Sequence, residues 1–96
     1  MKKYEVIFIV RPTLEEATAK EVVKNFEAVL TNNKAIVEKT EFLGRKELAY
    51  EIKNYKAGFY YLITFEANDN VAIKEFDRLA LISEDIIRHL VVKLDK

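Results

Sequence analysis

The chain has 96 residues, half of them hydrophobic and a third charged, with one proline, two glycines and no cysteine. This is the composition of an ordered globular chain expected to form a single domain over residues 1–96, and it excludes disulfide, thiolate and fibrous designs. Sixteen basic residues balance sixteen acidic ones, so any nucleic-acid contact must come from local clusters that bind weakly and salt-sensitively by themselves.

Apolar runs such as Val6 to Val10 and Leu90 to Val92 fall far short of the roughly 20 residues of a membrane span. The basic start Met1-Lys2-Lys3 leads into a short apolar run that stops at Arg11-Pro12 without a small-residue cleavage site. That pattern argues against a secretory signal and fits a cytoplasmic protein with no membrane partner.

Lys3 to Val10 alternates, with Tyr4, Val6, Phe8 and Val10 on one face and Lys3, Glu5, Ile7 and Ile9 on the other. This predicts a central strand whose even face meets the core and whose outer face, apolar at Ile7 and Ile9, invites a partner. Arg11-Pro12 ends the strand, and Thr13-Leu14-Glu15-Glu16 has the form of a capping box that opens a helix. Ala19, Val22, Val23, Phe26, Val29 and Leu30 supply its buried stripe. Thr31-Asn32-Asn33-Lys34 is expected to close it, because asparagine tolerates the left-handed backbone of a helix terminus.

Ala35 to Lys53 stays extended, which is long for one strand, and Gly44 in its middle predicts a bulge or hinge between two segments. Beyond Gly44, the residues Leu48, Tyr50 and Ile52 alternate with Ala49, Glu51 and Lys53, which assigns Leu48 and Ile52 to the core. Asn54 to Gly58 reads as a turn, and Phe59 to Phe65 as a strand that is apolar on both faces. Asn68-Asp69-Asn70 offers caps for a second helix burying Ala72, Ile73, Phe76, Leu79 and Ala80 and ending near Leu81-Ile82. Ser83-Glu84-Asp85 turns the chain into a last strand, Ile86 to Leu94, that carries Arg88, His89 and Lys93.

The order strand, helix, strand, strand, helix, strand predicts an α+β fold. It is the ferredoxin-like βαββαβ sandwich, a four-stranded antiparallel sheet of order 4-1-3-2 with two helices on one face. In that order the second strand is an edge. Its charges Glu41, Arg45, Lys46 and Glu47 either protect the edge against aggregation or admit a complementary partner, and the two uses are compatible.

Catalytic chemistry has little to work with, for the chain has one serine, Ser83, and one histidine, His89. Ser83 reads as a turn hydroxyl and His89 as a packed strand residue, and no spacing of His, Cys or carboxylates suggests a metal. Gly44 and Gly58 are isolated, so no glycine-rich loop cradles a phosphate. No cofactor and no small-molecule substrate is expected. Lys56-Ala57-Gly58-Phe59-Tyr60-Tyr61-Leu62 faintly matches the RNA-recognition-motif signature, but Tyr60 stands in for its small residue and Thr64 for its last aromatic. These aromatics read better as core packing than as a stacking platform. Lys2, Lys3, Arg88 and Lys93 lie on strands expected to be neighbours, where they could form one small phosphate patch.

Gly44-Arg45-Lys46-Glu47-Leu48-Ala49-Tyr50-Glu51-Ile52-Lys53 resembles the signature of the bacterial small-ribosomal-subunit protein six family: Gly, any, basic, polar, Leu, Ala, Tyr, any, Ile, basic. The resemblance extends through Lys2 to Val6, Asn32-Asn33, Gly58-Phe59-Tyr60, Ile82 to Asp85 and Arg88 to Lys93. It implies a non-enzymatic protein that binds small-subunit rRNA together with ribosomal protein eighteen of the small subunit, as a heterodimer that helps fold the rRNA central domain. By that resemblance Glu41, Arg45, Lys46 and Glu47 are expected to meet the protein partner, and Lys2, Lys3, Tyr50, Lys53, Arg88 and Lys93 the RNA. Glu51 replaces a proline common in relatives, and the sequence ends at Lys96 where many relatives carry a charged tail, so no tail-borne modification is carried over. The contrasting expectation is a small ferredoxin-like regulatory or ligand-binding domain, which would need a concave apolar pocket with convergent polar groups.

Overall fold

Residues 2–94 are described by a computed structural model. Six elements follow one another: β1 (Lys2–Val10), α1 (Glu16–Asn32), β2 (Ile36–Ile52), β3 (Tyr55–Ala67), α2 (Val71–Ile82) and β4 (Ile86–Leu94). The strands form one open antiparallel sheet in the order β2-β3-β1-β4. This is the ferredoxin-like arrangement expected from the sequence, with β2 at one edge.

Strand β1 lies between β3 and β4 and buries its even face as its alternation requires: Tyr4, Val6, Phe8 and Val10 belong to the core. Against them pack Ala19, Val22, Val23, Phe26 and Leu30 from α1, and Ala72, Phe76 and Ala80 from α2. Phe8 sits at the centre of this layer. Its ring stacks on Tyr61 of β3 at 5.7 Å and meets Phe26 of α1 at 6.3 Å and Phe76 of α2 at 5.8 Å.

Helix α1 begins later than a cap at Thr13 would place it. Glu15 is the N-cap, in extended conformation and without a side-chain cap bond. The Thr13 hydroxyl is engaged elsewhere, accepting a hydrogen bond from the Arg11 guanidinium at 3.0 Å, while Arg11 Nε donates to Asp85 at 2.8 Å. The helix ends in a Schellman motif: Lys34, not an asparagine, takes the left-handed conformation (φ 70°). The amide of Lys34 donates to Thr31 and that of Ala35 to Leu30. Asn33 contributes through its side chain, which donates to the Val29 carbonyl at 2.7 Å.

Strand β2 is one continuous strand rather than two hinged segments. Its pairing with β3 shifts between Val37 and Lys39, and again between Phe42 and Gly44, so Glu38 and Leu43 are the extra residues of two bulges. Gly44 has φ +108°, an angle L side chains rarely adopt. The turn to β3 is tighter and earlier than expected: Lys53 and Asn54 both have positive φ, 51° and 70°, and form a two-residue hairpin loop of the primed type. Asn54 to Gly58 is therefore the turn's end and the start of β3.

Ile9 lies on the open face yet is buried, because Gly58 on β3 and Ile87 on β4 close over it. A Cβ on Gly58 would fall 2.2 Å from Ile9 Cγ2. Gly58→Ala should therefore force Ile9 or the β3 backbone to move, at a cost of about 1–3 kcal/mol. Urea unfolding measures it. In the same assay Leu30→Ala, at a site with no exposure, should cost about 2–5 kcal/mol.

Candidate protein and RNA interface

The four edge residues expected to meet a protein are divided between the two faces of β2. Glu41 lies opposite Leu62 and Lys46 opposite Gly58, on the open face, whereas Arg45 lies opposite Phe59 and Glu47 opposite Ala57, on the helix face. Alternation alone parts Lys46 from Arg45 and Glu47, and the bulge at Leu43 decides which of them shares a face with Glu41, because one extra residue reverses the later positions. Glu41 is held by Lys39 at 3.3 Å. The Lys46 ammonium sits over the Tyr60 ring, 5.5 Å from its centroid, close enough for a cation–π attraction.

After Glu47 the ladder slips. Glu47 pairs with Ala57 but Ile52 pairs with Tyr55, so β2 spends four residues, Leu48 to Glu51, where β3 spends only Lys56. Leu48 and Ile52 are only half-buried and lie outside the core, contrary to the alternation argument, which assumes an unbroken ladder. Tyr50 is 83% exposed. The bulged arm encloses an open groove of about 500 Å³ whose walls include Arg45, Glu47, Leu48 and Glu51. Lys53, at the arm's tip, donates to the Ile86 carbonyl at 3.2 Å and ties the hairpin to the start of β4.

The basic residues of the first and last strands do not form one patch. Lys3 and Arg88 are on the open face but near opposite ends of the sheet, since Lys3 pairs with Leu94 and Arg88 with Ile9. Lys93 pairs with Tyr4 and Lys2 with Ala67, which puts both on the helix face. Arg88 and Lys93 are an odd number of residues apart, and the period of two sends them to opposite faces. What the sheet does assemble is a row across the open face: Tyr60, Ile9 and Arg88 on successive strands, with Lys46 above Tyr60. Beside it Ile7, half-buried, is flanked by Leu62 and by Leu90, which is 58% exposed. A shallow recess of about 210 Å³ is lined by these residues, among them Ile7, Tyr60, Arg88 and Leu90. In the sequence Tyr60 stands out only as a defect in a motif; the register gives it a place.

A family profile described as Ribosomal protein S6 matches residues 3–93. The chain belongs to the ribosomal protein S6 family. Its fold is similar to that of the crystal structure of 30S ribosomal protein S6 from Thermotoga maritima, with a TM-score of 0.90 and 26% sequence identity over 97% of this chain and 87% of that one. This S6-family chain is thus a protein of the small ribosomal subunit.

The groups with most chemical potential serve the fold. His89 packs its ring on Phe76 at 6.0 Å and contacts Asp77 at 2.6 Å, clamping α2 to β4. Ser83 accepts the Asp85 amide at 3.1 Å in the turn before β4. Among the described residues no group of three or more His, Cys, Asp or Glu could hold a metal, and no helix is long and apolar enough to cross a membrane. Asp85 holds the Arg11 guanidinium above its usual pKa through their hydrogen bond, and burial pushes the Tyr61 phenol up.

On the open face a hydrogen bond donated to Glu38 holds the Glu66 carboxyl above the usual carboxylate range, reinforced by desolvation and only partly offset by Lys3, which lies 3.6 Å from Glu38. A raised folded-state pKa means that the folded chain binds this proton more tightly than the unfolded chain. The contribution is complete below the ordinary glutamate pKa and is lost as pH rises through the Glu66 value. Urea midpoints from about pH 4 to about pH 7 should show this component disappear in Glu66→Gln, whose amide can still donate to Glu38.

Proposed function

We propose that this S6-family protein binds small-subunit rRNA as a heterodimer with ribosomal protein eighteen of the small subunit, as a structural and non-catalytic component that helps fold the rRNA central domain. The observation that carries this reading is the division of the surface. A charged edge strand with a grooved arm stands beside an open sheet face whose basic groups are few and separate. Each phosphate neutralised adds its own increment of affinity, so a neutral chain with such scattered cations needs a second protein to hold RNA.

The edge supplies the protein contact. Glu41, Arg45, Lys46 and Glu47 present mixed charge along a strand whose outer backbone groups have no neighbouring strand, an arrangement that selects a complementary partner and repels like-charged ones. Tyr60 and Arg88 on the open face supply an RNA contact, Tyr60 as a face for one base and Arg88 for a phosphate. Tyr50 and Lys53 on the arm, Lys3 at the far end of the open face, and Lys2 and Lys93 on the helix face make further contacts with the RNA backbone. Lys53 gives up its bond to the Ile86 carbonyl to do so.

Filter-binding titrations of a central-domain rRNA fragment test this directly. Affinity should rise at least about tenfold when ribosomal protein eighteen is added, and log affinity should fall linearly with log salt, by about 0.7–0.9 per phosphate contact. Equal affinity with and without the second protein overturns the reading. Arg45→Glu should weaken the heterodimer by about tenfold, near 1.4 kcal/mol, with the circular dichroism spectrum unchanged. Arg88→Glu should weaken RNA binding by the assembled pair and leave the heterodimer intact.

A further inference from the structure

Between α1 and the β2 edge runs a second groove, of about 230 Å³, on the helix side of the sheet. Helix α1 contributes Lys20, Val23 and Lys24, β2 contributes Thr40 and Phe42, and Tyr61 forms the floor. Phe42 is 56% exposed although it lies 5.0 Å from the Tyr61 ring and 6.2 Å from that of Phe59. An aromatic ring fixed by two others and still open to water is an unfinished contact. At one end the Thr40 hydroxyl bonds to Glu27 and joins strand to helix.

The strand beside this groove is shaped for a short addition. The bulges at Glu38 and Leu43 bracket a regular run, Lys39 to Phe42, paired in order with Thr64 to Tyr61. Bulges twist an edge away and stop a long strand from pairing, but in the four residues between them the alternate ones that do not bond to β3 keep outward-facing backbone donors and acceptors. A helix flanking an exposed edge strand is the geometry by which sheets accept extended peptides, with main-chain bonds giving affinity and side-chain pockets giving selectivity. The rim has a sign as well. Two lysines and one glutamate line it: Lys20 is paired with Glu16 at 3.5 Å, Glu27 binds only the neutral Thr40 hydroxyl, and Lys24 has no ion pair among the described residues.

We infer that this groove receives an extended segment of a protein partner, added as a short strand along Lys39–Phe42, with an apolar side chain on Phe42 and an acidic one two residues away facing Lys24. The spacing of two follows from the strand period, since only alternate residues point to the helix side. The inference rests on β2 being a docking edge and says what kind of segment docks there.

The test uses the full chain, labelled with nitrogen-15, and a capped pentapeptide carrying leucine and glutamate two positions apart among threonines. Amide shifts should concentrate at Lys39 to Phe42 and at Lys24. Replacing the peptide glutamate by lysine, or moving it next to the leucine, should weaken binding by about tenfold. Phe42→Ala should abolish the shifts, and Lys24→Glu should reverse the preference between the glutamate and lysine peptides. Equal binding of the peptides, or shifts centred on Arg88 to Val92, overturns the inference. No other ribosomal protein is present in this titration, so it can fail while the heterodimer titration succeeds.

Discussion

The contacts of one ring, Phe8, hold the layers of this protein in place. It belongs to the central strand, stacks on Tyr61 of the neighbouring strand, and touches an aromatic from each helix, while Phe26 and Phe76 meet one another at 4.9 Å. Each such pair contributes about 0.5–1.5 kcal/mol beyond the area it buries, and because the rings share partners they fix positions as a set. The helices are thereby confined to one side of the sheet. The other side is left open and β2 is left as an edge.

What those surfaces present is decided by register rather than by composition. A bulged residue costs the ladder little and yet reverses every later side chain. The bulge at Leu43 sends Lys46 to Tyr60 and Arg45 to the helix side. The slip from Leu48 to Glu51 lifts a stretch of β2 away from the core and opens the groove beside Arg45 and Glu47. Ion pairs along the edge, such as Lys39 with Glu41, are exposed and individually weak. They contribute selectivity more than stability.

Much of this is legible in the periodicity of the amino-acid sequence. The even face of β1 and the stripes of both helices follow from spacing of two and of three to four residues, the edge position of β2 follows from the order of elements, and each is found where expected. Thr13 misleads because a capping box is a local pattern, while its hydroxyl is claimed by Arg11, which is itself bound to Asp85, 74 positions away. Leu48 and Ile52 read as core residues because alternation implies one face only while pairing is continuous. The expected patch of Lys2, Lys3, Arg88 and Lys93 fails on parity, which a sequence does contain, and on the offset of β4 against β1, which it does not.

The position of β1 in the middle of the sheet also orders events in time. Strand β1 precedes both its neighbours, β3 and β4, in the chain, and β4 follows every other described element. Until residues 86–94 leave the exit tunnel, one side of β1 is an unpaired edge carrying Tyr4, Val6, Phe8 and Val10. The nascent chain therefore passes through a state in which its central strand is half-clothed and apt to pair with a stranger. A protein that helps build ribosomes is, during its own synthesis, briefly dependent on how quickly one of them finishes.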